Sequence, residues 1–363
     1  MRYHTWDDIK KKAENMHLLI TKLKESNLVL FGAGRSGGCA YEEIKKQYPI
    51  YRFCDNSEKA WGGYCEGITI ISPEQLKTIK NVFVILTVSG QYYIPIKKQL
   101  NDMKIPCITY MEYVFIHNYD KFEIVYHQLL EDDDSKKTYL YLLISYLTLD
   151  TTYLKEVFVR NQYFEIPEFC IPSSSEVFVD CGAYTGDTLE DYINKKVGTF
   201  KRGYFFEPTE KTVHALEIRK DRLIKEWALE EEQIVIERKI VTAKSGMRYF
   251  IEGTNDEKWN RIGKEDSMKK KPIPAISLDE YFADKKEKPT FIKADIEGAE
   301  MEMLEGAKGI IAEKKPLLAI CIYHRIEDLY EIPILLKQFC PEYKMSIRHH
   351  MPNYCETVLY CYV

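Results

Sequence analysis

Residues 177–187 read Val177-Phe178-Val179-Asp180-Cys181-Gly182-Ala183-Tyr184-Thr185-Gly186-Asp187, an apolar run that stops at a carboxylate and passes through a glycine loop into a polar segment. A run this short, closed by glycine, reads as a buried strand, and a glycine turn from strand into helix is the opening unit of a parallel α/β sheet. The pattern continues outward. Gly203 to Phe206, Ile234 to Glu237, Phe291 to Ala294 and Leu317 to Ile322 are further strand-like runs, separated by segments of helix length. Met345 to Arg348 and Thr357 to Tyr362, folded about Met351-Pro352-Asn353, predict an antiparallel hairpin.

The same alternation precedes this stretch. Thr5 with Asp8 predicts the cap of a first helix, in which Ile9, Ala13, Met16, Leu19, Ile20 and Leu23 recur at helical spacing. Strand-like runs follow at Leu28 to Phe31, Ile50 to Cys54, Val82 to Thr87 and Cys107 to Tyr110, with Gly37 to Gln47 and Tyr92 to Asn101 as crossover helices. From Asn118 to Phe164 the pattern is helical, broken at Glu131 to Asp134, where Ser135 caps a Tyr- and Leu-rich helix and the acids read as a solvated turn rather than a cation site. The expected fold is α/β with two Rossmann-like parallel-sheet domains, 1–117 and 165–363, joined by a helical connector at 118–164.

Two glycine loops carry different charges. Gly32-Ala33-Gly34-Arg35-Ser36-Gly37 is a G-x-G-x-x-G between a predicted strand and helix, with Asp55 ending the next strand. Gly32, Gly34 and Gly37 would admit a diphosphate to the helix N-terminus and Asp55 would take a ribose hydroxyl, so a phosphate-bearing nucleotide, NAD or a nucleotide sugar, is expected there. A glycine turn that only packs helix on strand would read the same way. In the second loop Asp180 and Asp187 flank the place of a diphosphate and would repel it. The same carboxylates suit a ligand bearing an ammonium and a sulfonium, S-adenosylmethionine. Gly182, Ala183, Tyr184 and Gly186 would supply the loop around it and Glu207 would bind its ribose hydroxyls.

Five ordered stretches between Tyr163 and Val363, "VFVDCGAYTGDT", "YFFEP", "SLDEYF", "FIKADIEGAEMEMLEGA" and "YHRIEDLYEIP", resemble the FkbM-type methyltransferases. The resemblance implies a seven-stranded class I methyltransferase sheet ending in the antiparallel hairpin, and methyl transfer from S-adenosylmethionine, usually to a hydroxyl of a sugar or polyketide. The front domain is similar to nucleotide-binding domains of polysaccharide-modifying proteins. Two departures stand out: Tyr184 occupies a position where many members have Asn, and Val241 to Gly246 holds no clear acid of the kind that often contacts adenine.

Methyl transfer is an in-line displacement, so the protein must hold the acceptor oxygen behind the methyl carbon, and a hydroxyl acceptor must also lose its proton. Lys293, Asp295, Glu297 and Glu300 lie at the end of the fourth strand of this half, the edge where ligands bind in open α/β sheets. Asp295 is the expected base; Glu300 reads as an acid that merely favours a helix N-terminus. Tyr323 and His324 end the fifth strand, and His324 is the second candidate. Arg348 and His349 fit either an anionic substrate group or plain surface, and His350 reads as surface. Asp295, Glu297 and His324 have ligand chemistry, yet no spacing fixes them together and no metal is expected. Lys269 to Lys271 reads as a solvated loop before Pro272.

Composition narrows the class further. With 51 basic against 56 acidic residues there is no broad basic field, so nucleic acid is not an expected partner. No apolar run has the length of a membrane span, and Met1 to Lys12 lacks a signal-peptide pattern, so a cytoplasmic enzyme is expected. The cysteines form no Cys-x-x-Cys pair, which argues against zinc ribbons and thioredoxin-type redox chemistry. A small-molecule or glycan substrate is the expected partner, and a homo-oligomer is compatible with the sequence. Two rival readings stay open: an NAD-dependent oxidoreductase led by the first glycine loop, and a nucleotide-sugar-binding or nucleotide-sensing module.

Overall fold

The computed structural model describes residues 5–88, 90–251, 261–263 and 270–363, so residues 1–4 and Lys269 lie outside the described residues. The chain divides into two compact units, Met1–Glu123 with Leu140–Tyr153 and Ile124–Tyr139 with Leu154–Val363, and the segment 118–164 is shared between them.

The first unit opens with the helix Trp6–Glu25, whose start is closed reciprocally by Thr5 and Asp8. Among the described residues its sheet comprises β1 (Asn27–Phe31), β2 (Ile50–Cys54), β3 (Tyr64–Cys65), β4 (Ile68–Ile71), β5 (Val82–Leu86) and β6 (Cys107–Thr109), ordered β3-β4-β2-β1-β5-β6. All neighbours are parallel except β3 and β4. The short β3–β4 hairpin adds an edge that the apolar runs did not announce, because two residues have no periodicity to read. Gly37 explains how the glycine loop is built. A Cβ there would lie 1.8 Å from the Gly32 carbonyl oxygen, so glycine lets the helix Arg35–Ile44 settle on the turn after β1. Gly34 by contrast faces open space.

In the second unit β7 (Val177–Cys181), β8 (Arg202–Phe206) and β9 (Ile234–Glu237) are followed by β10 (Ile240–Val241), β11 (Gly246–Ile251), β12 (Arg261–Gly263) and β13 (Lys270–Ile276). Then come β14 (Phe291–Ala294), β15 (Leu317–Cys321), β16 (Lys344–His349) and β17 (Thr357–Tyr362). The main sheet among the described residues runs β16-β17-β15-β14-β7-β8-β9, parallel from β15 to β9, with β17 antiparallel to both its neighbours. This is the class I methyltransferase arrangement. β7 and β14 are buried along their whole length, as strands covered by helices on both faces must be. Chain order reverses between them, which leaves a crevice at their carboxyl ends.

Several local expectations change. Lys270 and Lys271 belong to β13 and not to a solvated loop. Pro272 and Pro274 are tolerated in that strand because they pair with β11 only, while β10 reaches just Ala275 and Ile276. The helix Asp133–Thr148 starts ahead of Ser135, and Asp132 caps it by accepting the Ser135 N–H at 2.8 Å. Nor is that acidic turn merely solvated: Asp132 lies 3.0 Å from Arg348 and accepts the Ser346 hydroxyl at 2.7 Å, tying the helix start to β16. His349 and His350 are buried, with ring nitrogens on Thr357, Asn353, Val159 and Tyr360. Burial pushes both down to about 4, so they are neutral structural groups and neither a surface feature nor an anion site.

The contact at Gly37 gives a test. Gly37→Ala should destabilise the chain by about 2 kcal/mol or more, since a backbone oxygen cannot rotate away. Gly34→Ala should cost no more than about 1 kcal/mol, the N-cap preference for glycine over alanine, because the added methyl meets no neighbour. Urea midpoints of the two variants measure the difference, and equal midpoints would contradict this packing.

Candidate functional site

The carboxyl ends of β7, β8 and β14 open into a cavity of about 390 Å³. Its floor is a crossing of two loops. Gly182 has φ +90°, and a Cβ on it would lie 1.9 Å from the Asp295 carbonyl oxygen, so glycine permits the turn after β7 to touch the end of β14. The Phe206 carbonyl accepts the N–H groups of Gly182 and Ala183, both at 3.0 Å. Glu207 then latches the loop from the side. One carboxylate oxygen accepts the Tyr184 N–H at 3.1 Å; the other accepts the Thr209 N–H at 2.8 Å and the Thr212 hydroxyl at 2.9 Å. Burial pushes Glu207 above the usual carboxylate range against the pull of these donors.

Beneath the crossing lies a buried ion pair. Lys293 Nζ is 2.8 Å from Asp180 Oδ1 and donates to the Gly182 carbonyl at 2.9 Å. Asp180 is fully buried and its Oδ2 has no hydrogen-bond partner among the described residues. Burial pushes Asp180 up to about 6 in spite of Lys293. Burial opposes the charge on Lys293 too, but Asp180 and Asp295 outweigh it and keep the ammonium protonated.

Asp295, 22% exposed toward the cavity, accepts the Tyr163 hydroxyl at 2.9 Å and the Tyr323 hydroxyl at 3.2 Å. Its Oδ1 lies 3.4 Å from His324 Nε2, and His324 Nδ1 lies 3.0 Å from Glu300. Burial would raise Asp295, yet Lys293, His324 and the two tyrosines hold it below its ordinary value. Burial disfavours the His324 imidazolium, yet Glu300, Asp295 and Glu297 hold its pKa up to about 9. Glu300, expected as a helix-end ornament, is fully buried and accepts the Ile296 N–H at 2.8 Å. Asp295, Glu300 and His324 offer ligand atoms within 4.8 Å of one another. The two ring nitrogens of His324 face different carboxylates, however, and that is the geometry of an imidazolium bridging two acids rather than of a chelate.

The cavity is therefore lined by Gly182, Tyr184, Asp187, Glu207, Lys293 and Asp295 from the sequence reading, while Asp180, Ala183, Gly186 and His324 are not among its lining residues. Asp187 reaches it from the first turn of the helix Asp187–Lys195. Gln162, Tyr163 and Glu356 also line it, and nothing local in the sequence marked them. Tyr163 falls in the segment expected as a connector, and Glu356 in the hairpin turn. In the first unit Gly32, Gly34, Gly37 and Asp55 come together in their own loop. There Asp55 accepts the N–H groups of Ala33 at 2.9 Å and Ser57 at 2.8 Å, the same kind of latch that Glu207 makes.

Residues 180–342 match the family described as Methyltransferase FkbM domain. The C-terminal half carries an FkbM methyltransferase domain. Residues 24–108 match the family described as C2185-like, N-terminal. Among solved structures, Methyltransferase FkbM from Methylobacillus flagellatus KT aligns at 23% identity over 98% of this chain and 98% of that one, with a TM-score of 0.59, which shows a shared fold. An rRNA methylase from Streptococcus thermophilus aligns at 14% identity over 53% of this chain and 87% of that one, with a TM-score of 0.31. No curated protein matches the chain.

The buried charges of the methyltransferase domain set a pH dependence. His324 keeps its proton up to about 9 in the fold but only to 6.5 in the unfolded chain. Asp328 is pushed up to about 8 by burial and by Glu300. In both cases the folded chain holds protons that the unfolded chain has released, so their stabilisation is complete at low pH and is lost as pH rises. Asp328 loses its share from pH 3.8 to about 8 and His324 from 6.5 to about 9, so the urea midpoint should fall across pH 6.5 to 9, and less steeply in His324→Gln. A flat profile in the parent chain would refute the buried imidazolium.

Proposed function

We propose that this chain is a cytoplasmic S-adenosylmethionine-dependent methyltransferase that acts on a hydroxyl of a sugar, glycan or related small molecule. The observation that carries this reading is the charge of the cavity. Asp187, Glu207, Asp295, Glu297, Glu302 and Glu356 line it against Lys239 and Lys293. Lys293 is held by Asp180, and Lys239 lies 2.5 Å from Glu237. Such a lining favours a cation and repels a diphosphate.

The donor set fits the proposed cofactor. Glu207 would take the two ribose hydroxyls, Asp187 would face the ammonium, and the backbone from Gly182 to Tyr184 would run beside the ligand. When bound, the cofactor supplies an electrophilic methyl group on a sulfonium. Asp180 acts indirectly, by fixing Lys293 and through it the Gly182 carbonyl. On the acceptor side Gln162, Tyr163 and Tyr323 offer an amide and hydroxyls suited to an uncharged, oxygen-rich molecule. The ten cysteines are all thiols, which accords with a reducing compartment, and no helix of the described residues is long and apolar enough to cross a membrane.

Calorimetric titration with S-adenosylmethionine, S-adenosylhomocysteine and NADH tests the reading. Both adenosyl ligands should bind, and Glu207→Gln should weaken them roughly 10- to 100-fold, the worth of a hydrogen bond to a charged group. Binding of NADH without either adenosyl ligand would transfer the protein to the oxidoreductases.

A further inference from the structure

Transfer to a hydroxyl leaves a proton to be taken, and the groups that the sequence offered for it are already committed. Lys293 and His324 are cations held by carboxylates, and Asp295 receives two tyrosine hydroxyls beside an imidazolium. We infer that Glu356, on the turn between β16 and β17, is the carboxylate that faces the transferred methyl group and accepts the proton of the acceptor hydroxyl. The inference rests on the methyl-transfer reading above.

Glu356 lines the cavity, and a carboxylate oxygen from it, one from Asp295 and the Cys321 sulfur lie within 4.8 Å of one another. The two acids are unequally served. The Tyr323 hydroxyl is 3.2 Å from Asp295 Oδ1 and 3.4 Å from Glu356 Oε1, and its single proton can serve one of them at a time. Tyr163 adds a second donor to Asp295, and His324 adds a positive charge. On Glu356, Gln162 donates to Oε2, so Oε1 is left to accept whenever Tyr323 turns to Asp295.

Adjacent carboxylates divide their protonation when their surroundings differ. Burial and the Asp295 charge push Glu356 above the usual carboxylate range, although Gln162, His324 and Lys293 pull the other way. Lys293, His324 and the tyrosines keep Asp295 below it. Tyr163, Tyr323 and Cys321 also face the pair, and burial holds all three in their neutral forms. Asp295 is thus a fixed anion, and Glu356 is the member able to exchange a proton. In the step itself the acceptor oxygen bonds the methyl carbon as the carbon–sulfur electron pair withdraws onto sulfur. The hydroxyl proton passes to Glu356 and from there to water.

The position can be tested without knowing the acceptor. Sinefungin is an adenosyl amino acid with an amine in place of the sulfonium methyl, so its ammonium reports on the group facing that methyl. The parent chain should bind sinefungin more tightly than S-adenosylhomocysteine, and the preference should fade as acid protonates Glu356. In Glu356→Gln the preference should drop at least about tenfold and lose its pH dependence, while S-adenosylhomocysteine affinity stays within about twofold, which also certifies the fold. An unchanged preference in that variant overturns the inference. Should Glu356→Gln lose both ligands, Glu356→Asp keeps the carboxylate and must keep the preference for the amine; binding of S-adenosylhomocysteine without that preference overturns the inference as well. A parent chain that binds neither probe removes the methyl-transfer reading, and this inference with it.

Discussion

Lys293 is buried at the end of β14 with its ammonium on Asp180 of β7 and on the Gly182 carbonyl of the following turn. A charge withdrawn from water must be paired and hydrogen-bonded, and removing one member of such a pair strands the other at a cost of about 3–5 kcal/mol. The pair therefore fixes how the β7 turn meets β14 at the place where chain order reverses. Gly182 meets the same demand by having no Cβ to strike the Asp295 carbonyl oxygen. Tyr184 and Glu207 on one side of the cavity and Asp295 on the other take their positions from this crossing.

From Asp295 the charge continues inward through His324 to Glu300. Alternating signs explain why Lys293, Asp295 and His324 are poorly suited to taking a proton here: each is stabilised in its charged form by its neighbours. Proton exchange falls instead to a carboxylate with fewer donors and a like charge beside it. The acidic wall also limits what can enter, because an anionic group placed there would meet carboxylates with few uncommitted cations to offset them.

The two glycine loops share a construction and differ in charge. In each, an acid at or just beyond the end of the second strand accepts backbone N–H groups of the turn, Asp55 from Ala33 and Glu207 from Tyr184. The motif alone thus reports a way of joining strand to helix. What distinguishes the second loop is the cavity in front of it and the carboxylates that line that cavity.

The main strands of both sheets, the first helix with its cap and the glycine turns were legible in the sequence, because each depends on a short apolar run, a local spacing or a residue needed at a turn. So were Glu207 and Asp295, which stand at strand ends where α/β ligands gather. The β3–β4 hairpin and the small sheet containing β13 were not legible, one being too short to show a period and the other carrying prolines that suggest a loop. Nor could the sequence show that His349 and His350 are buried, that Glu300 reaches His324, or that Gln162, Tyr163 and Glu356 join residues more than a hundred positions away or at the far end of the chain. Local order follows from neighbours along the chain, whereas burial and charge pairing follow from neighbours in space. Only the folded sheet decided which of these groups keep their protons.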